Sequence, residues 1–172
     1  MIRKAILSDL EAIDAIYNAI HDGEERGLST VGWKRDIYPT RDTAREAILS
    51  EDMFVMEEDG EILASARINK TQVEEYARIG WSHKARDEEV MVLHTLAVAP
   101  WASGKGLGTR FVVFYEDYAR QNGCPYLRMD TNEKNARARA FYKRLGYEEK
   151  GIVPCVFNGI DGVNLVCLEK TL

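Results

Sequence analysis

Cysteine is scarce in this chain, which holds only Cys124, Cys155 and Cys167. An odd number of thiols without metal-ligand spacing excludes a disulfide framework, predicts no metal, and is expected of reduced cysteines in the cytoplasm. Long apolar runs are also missing. Nothing approaches the roughly 20 residues of a membrane span, and the apolar segment of the opening MIRKAILSDLE is too short for a signal peptide. Neither membrane attachment nor secretion is expected. Positive charge is in short supply as well, with 23 Lys and Arg against 28 Asp and Glu and a net charge of −5. That argues against a general nucleic-acid partner, which wants a basic face, and requires any anion site to be positive only locally. No repeat, linker or low-complexity segment interrupts the chain. A single domain over residues 1–172 is expected.

What is present centres on Val90 to Arg120. The mostly apolar run Val90 to Val98, β-branched at Val90, Val92, Thr95 and Val98, predicts a buried strand. Pro100 cannot donate the next ladder bond and ends it. Ser103-Gly104-Lys105-Gly106-Leu107-Gly108-Thr109 follows, then a helix whose Leu107, Phe111, Phe114, Tyr115 and Tyr118 share one face. A glycine-rich turn opening a helix suits an anion. The first turn has unpaired N–H groups and roughly half a positive charge, and glycines let the backbone approach closely. Two nucleotide motifs fail on spacing. Gly104-Lys105 is followed by Gly106 rather than Ser or Thr, with Ala99 where a P-loop needs glycine, and the dinucleotide fingerprint counted from Gly104 ends on Thr109. A nucleotide-dependent enzyme or kinase is therefore disfavoured.

Leu96-Ala97-Val98-Ala99-Pro100 followed by Ser103 to Gly108 resembles the pyrophosphate motif of the GCN5-related N-acetyltransferase superfamily, with Gly106 and Gly108 matching. Ser103 stands where that family usually has Gln or Arg. A second segment, Asn135 to Tyr147, is similar to the family's N-x-x-A-x-x-F-Y-x-x-x-G-F/Y through Asn135, Ala138, Phe141, Tyr142, Gly146 and Tyr147. The resemblance spans Val90 to Tyr147 with motifs, and elsewhere agrees in the order of elements. It implies an α/β (α+β) domain with a mixed, mostly antiparallel sheet that splays at the central strand and about four flanking helices, with acetyl-CoA in the wedge.

The remaining chain fits that order. Ser8-Asp9-Leu10-Glu11 reads as a capping box for a helix burying Leu10, Ile13, Ile16 or Tyr17, and Ile20, and a second helix is predicted over Asp42 to Leu49. Between them, His21 to Thr40 has little periodicity and carries Trp33 and Tyr38. Met53 to Glu58 and Glu61 to Asn69 are predicted strands joined at Asp59-Gly60. Lys70 to Glu89 is a polar excursion containing Tyr76, Ile79 and Trp81. Short strands are predicted over Tyr126 to Asp130, Gly151 to Val156 and Val163 to Leu168, with Gly146 capping the helix before the last two.

The resemblance implies transfer of acetyl from acetyl-CoA to a primary amine by direct attack, without a covalent enzyme intermediate or a metal. A fold that binds CoA without catalysis is the alternative. The N–H groups of Ser103, Gly104, Lys105, Gly106, Leu107, Gly108 and Thr109 would hold the pyrophosphate. The positive field would come from Lys105 and Arg110, and from Lys134, Arg137, Arg139, Lys143 and Arg144. Leu96, Ala97 and Val98 would pair with the pantetheine arm as an added strand, with an oxyanion donor near Leu96. Asn135, Ala138 and Tyr142 would stand on the cofactor side, Asn135 either contacting the cofactor or capping its helix. Tyr142 is the candidate acid or hydrogen-bond donor to the leaving sulfur.

His94 is the candidate base, since an ordinary imidazole titrates near a pKa of about 6.5. Strand alternation would put His94, Leu96 and Val98 on one face. Some members of the family, the arylalkylamine acetyltransferases among them, have histidine here; others have a glutamate two residues earlier, where this chain has Val92. Glu88, Glu89 and water are the reserves, and a histidine satisfied within the sheet is the alternative. Trp33, Tyr38 and Trp81 are candidates for lining the pocket of a small-molecule or peptide amine, or for the solvated rim of two loops. The oligomeric state, a homodimer included, stays open.

Overall fold

The computed structural model describes all 172 residues. Seven strands form one sheet: β1 (Ile2–Lys4), β2 (Met53–Glu58), β3 (Glu61–Asn69), β4 (Val90–Val98), β5 (Tyr126–Asn132), β6 (Glu148–Phe157) and β7 (Ile160–Thr171), in the order β1-β2-β3-β4-β5-β7-β6. Every pairing is antiparallel except β4 with β5. Four helices are added, α1 (Leu10–Glu25), α2 (Arg41–Leu49), α3 (Leu107–Gln121) and α4 (Ala136–Arg144). No helix is long and apolar enough to cross a membrane.

Alternation along β2 and β3 divides the helices between two layers. Phe54 packs on Phe114 and Tyr118 of α3. Ser65, on the opposite face by its register with Val55, lies beside Tyr17 of α1. The core between the layers includes Ile13, Ile16, Met53, Phe111 and Leu127, all fully buried. Asp59-Gly60 turns β2 into β3 with both residues in the left-handed region, at φ 51° and 80°, as a two-residue hairpin requires. Asn158-Gly159, at 49° and 77°, does the same between β6 and β7. That dipeptide is an equally clear turn signal, and it makes both strands longer than the sequence pattern predicts.

The capping box at Ser8 is corrected. Asp9, not Ser8, accepts the Ile6 N–H at 2.8 Å, and it is also clasped by Arg3 at 2.7 and 3.0 Å. Arg3 reaches Asp9 from β1, so a side chain distant from the local four-residue pattern decides the cap. α1 also runs on to Glu25, past the Ile20 at which its apolar period ends.

The excursion from Lys70 to Glu89 is tied to the sheet by one buried guanidinium. Arg128 on β5 sits opposite Glu169 on β7 and bonds it at 3.1 and 3.2 Å, donates to Gln72 Oε1 at 2.6 Å and to the His83 carbonyl at 3.0 Å, and lies 4.1 Å from the Trp81 ring centroid. Both partners of the ion pair are nearly inaccessible. Replacing Arg128 by Leu leaves the buried Glu169 without its ion-pair partner, and should cost about 3–5 kcal/mol in urea unfolding. A loss below about 1 kcal/mol, the range of an exposed pair, would show that the pair holds nothing down.

Candidate active site

The site forms where β4 and β5 part. They pair in parallel only from Val90↔Tyr126 to Leu93↔Met129. Beyond that point β5 keeps its other partner, β7, while the edge of β4 facing β5 has no strand on it.

β4 is also bulged at this point. Arg67 opposes His94 and Ser65 opposes Ala97, so one residue of β3 faces both Thr95 and Leu96. Thr95 takes φ 52°, rare for a β-branched residue, and its hydroxyl is bonded to Tyr38 Oη. The bulge overturns the simple alternation expected of this strand. His94 now shares a face with Ala97, whereas Val98 falls on the other face with Leu93 and approaches the Gly108 position. The imidazole thus turns to the α1 and α2 side, and Val98 to the α3 side.

The turn after β4 supplies unused backbone donors. No N–H between residues 104 and 109 is bonded within the chain, and the first to find a partner is that of Arg110, on the Gly106 carbonyl at 3.1 Å. Gly106 caps α3 in the left-handed conformation, φ 73°. At Gly108 an added Cβ would stand 3.3 Å from the Phe141 ring of α4, so this glycine permits close helix packing. Lys105 is exposed, Arg110 is engaged by Glu58, and Arg137 of α4 donates to Ser103 Oγ at 3.1 Å. A guanidinium from α4 therefore reaches the position where the resembling motif carries its own Gln or Arg.

His94, Leu96, Asn135, Ala138 and Tyr142 line one cavity of about 280 Å³, together with Trp33 and Tyr38. Trp81 is not brought there. Its indole donates to the Tyr76 carbonyl at 2.9 Å and stacks over Arg128, so it braces the excursion instead of lining the pocket. Glu88 and Glu89 both pair with Arg86 and stand outside the cavity. Asn135 caps α4, its Oδ1 accepting the Ala138 N–H at 3.0 Å.

His94 is held by a polar chain that no sequence motif announces. Asn69 gives its Nδ2 to Asp52 at 2.9 Å, and its Oδ1 accepts the Thr71 N–H and faces His94 Nε2, each at 3.0 Å. With the amide oriented by Asp52 and Thr71, Oδ1 can only accept, so the network assigns the proton to Nε2 and leaves the lone pair on Nδ1. Burial, helped by the Arg67 charge, pulls the His94 pKa from 6.5 to about 4. Burial and the Asp130 charge push the Tyr142 phenol well above its ordinary value. Its hydroxyl makes no hydrogen bond in the chain and is not sealed off. Asp130 lines the same cavity and escaped the sequence reading; a carboxylate at the end of an apolar strand beside the wedge was the available signal. No group of His, Cys, Asp or Glu is arranged to hold a metal ion.

An open strand edge, a run of free N–H groups and a cavity reached by that edge at Leu96 are the unfilled features of the fold. The acetyltransferase (GNAT) family profile matches residues 13–147, and the chain belongs to this family of acyl-CoA-dependent acetyltransferases. It is 28% identical over 148 residues to the uncharacterised N-acetyltransferase YhfO of Bacillus subtilis (strain 168), an alignment covering 86% of this chain and 89% of that one. A GNAT-family acetyltransferase structure from Streptococcus agalactiae 2603 superposes with a TM-score of 0.82 at 27% identity, over 100% of this chain and 95% of the other. A ribosomal-protein-alanine N-acetyltransferase from Brucella melitensis shares the fold alone, with a TM-score of 0.71 at 21% identity over 100% and 99% of the two chains.

Proposed function

We propose that the protein transfers acetyl from acetyl-CoA directly to a primary amine, both held at once in the wedge and its cavity. The observation that carries this reading is the junction of two incomplete structures. The unpaired edge of β4 runs from Leu96, in the wall of the cavity containing His94 and Tyr142, toward the turn whose N–H groups at residues 104–109 are free.

Gly104 to Thr109 fit a pyrophosphate because their N–H groups are free at a helix N-terminus, with glycine at 104, 106 and 108 to let an anion approach. Arg137 and Lys105 add the local positive charge that a net charge of −5 otherwise denies. Leu96 to Val98 offer main-chain partners to the amides of the pantetheine arm, and an N–H near Leu96 is the donor for the carbonyl oxygen. Bound acetyl-CoA supplies an activated acetyl carbonyl and a thiolate leaving group.

The bound ammonium first loses a proton to solvent, and His94 takes the second proton on Nδ1 as the neutral nitrogen attacks. Being neutral down to about pH 4, it is ready to accept across the physiological range, although its weak basicity limits the driving force. Tyr142 donates a hydrogen bond to the departing sulfur. Its raised pKa lies further from a thiol near 8.5 than an ordinary phenol near 10 does, so it keeps its proton.

Tyr142→Phe keeps the ring and its packing. It should lower turnover by the value of one charge-assisted hydrogen bond, roughly ten- to a hundred-fold, measured by thiol release where chemistry limits the rate. Wild-type turnover would remove Tyr142 from the reaction. The test of the whole reading is amine-dependent release of CoA from acetyl-CoA with formation of the N-acetyl product. A protein that binds CoA but shows no turnover with any amine is a binding module.

A further inference from the structure

Asp130 is the one carboxylate lining the cavity, and Arg67 the one guanidinium. Their circumstances differ. Arg67 is already engaged, with Nη2 and Nε on Asp52 at 3.1 and 3.3 Å. Asp130 has no cation. Its Oδ2 accepts from Tyr76 Oη at 2.8 Å, while Oδ1 receives no hydrogen bond and is not sealed off. A carboxylate desolvated beside apolar groups, with one oxygen unused, is unstable as an anion until something cationic reaches it. The cavity walls are mixed, with Trp33, Tyr38, Val73, Phe157 and Ile160 supplying apolar and aromatic surface beside neutral Asn and Thr side chains. Trp33 and Tyr38 meet edge to face, with centroids 6.5 Å apart.

We propose that Asp130 is the counter-ion for the acceptor's ammonium group, and that the acceptor is a small cationic amine with an apolar or aromatic body and no carboxylate beside the amine. The inference rests on the acetyl-transfer reading above and names its substrate class. The cavity, at about 280 Å³, lies at the lower bound of ordinary ligand cavities, roughly 300 Å³. A carboxylate on the acceptor would find no unpaired cation, because Asp52 holds the only one, and it would stand against Asp130.

The titration of Asp130 provides a signature. Burial raises its pKa to about 7, with Glu75 adding to the rise and the Tyr76 hydrogen bond opposing it. The other titratable groups within its field are Tyr38, Tyr142, Cys155 and Cys167, each itself raised by burial and by the Asp130 charge. Arg67, His94 and Tyr17, the last also raised by burial, complete the ionisable lining. An arriving ammonium favours the ionised carboxyl, so binding at pH 7 should release about half a proton, and affinity should fall as pH drops below about 7.

The test is calorimetry. CoA is titrated first, then benzylammonium into the CoA-loaded protein, in buffers of different ionisation enthalpy, for wild type and Asp130→Asn. Phenylglycine, the same ring and amine with a carboxylate added, is the matched comparison. Benzylammonium should bind wild type with proton release and at least about ten-fold more tightly than phenylglycine does. Asp130→Asn should weaken it about ten- to a hundred-fold and abolish the proton release, with CoA affinity unchanged. Equal binding by the variant, equal or better binding of phenylglycine, or no benzylammonium binding to CoA-loaded wild type would each overturn the inference while leaving the cofactor site standing. Failure of wild type to bind CoA in the first titration would instead defeat the acetyl-transfer reading. If Asp130→Asn loses CoA binding through misfolding, the two wild-type comparisons, proton release and benzylammonium against phenylglycine, decide the matter.

Discussion

Replacing Gly106 by Asp should abolish CoA binding without unfolding the protein. An added Cβ at Gly106 meets nothing within 4 Å, so the new side chain has room. What it brings is a negative charge at the centre of a row of free N–H groups. Two like charges about 4 Å apart near a protein surface repel by about 4 kcal/mol, about a thousand-fold in affinity. Backbone strain is the competing cause, because φ 73° disfavours most side chains. Gly106→Asn separates the two, being nearly the same size, tolerant of that conformation and uncharged. It should lose no more than about ten-fold. Equal losses in both variants would mean that shape, not charge, governs the turn. Wild-type affinity in Gly106→Asp would place the pyrophosphate elsewhere.

His94→Ala should lower turnover by roughly 10²–10⁴-fold and leave CoA affinity nearly unchanged, since the imidazole points to the α1 side and the cradle lies at α3. The pH profile identifies the base more sharply than the rate does. An unperturbed histidine would impose an acidic limb near neutrality. Burial moves the His94 pKa to about 4, so the base is lost only as pH falls through that value. Asp130, near 7, governs a separate limb in kcat/KM through amine binding. The limb near 7 should therefore survive in His94→Ala and vanish in Asp130→Asn, and the limb near 4 should do the reverse. If His94→Ala removes the limb near 7 instead, the histidine titrates near its ordinary value and the burial argument fails. If turnover is unchanged, the proton goes to water or to Asp130.

The glycine turn and the two amphipathic helices after it were legible because each depends on local pattern, whereas the parting of the sheet was implied only by the family resemblance. Gly104 to Gly108 sit on a strand-to-helix junction, and Phe141 and Tyr142 keep the helical period that faces the core. The bulge at Thr95 and Leu96 was not legible. No glycine or proline marks it, and it exists only in the register between β4 and β3. That one residue decides which side His94 faces. Trp81 misled for the related reason that an aromatic in a long loop is equally suited to a pocket wall or a brace, and only the position of Arg128 distinguishes them. Asn69 of β3 joins Asp52, just before β2, and shares the cavity with Asp130 of β5, across distances along the chain that no spacing rule connects.

The most direct test of the account is a parallel measurement of thiol release and N-acetyl product from acetyl-CoA with a panel of primary amines, for wild type, Gly106→Asp and His94→Ala. Wild type should give stoichiometric CoA and N-acetylamine, Gly106→Asp none because the cofactor does not bind, and His94→Ala a slow but saturable reaction. CoA release that is independent of the amine, or product formation by Gly106→Asp at the wild-type rate, would contradict it.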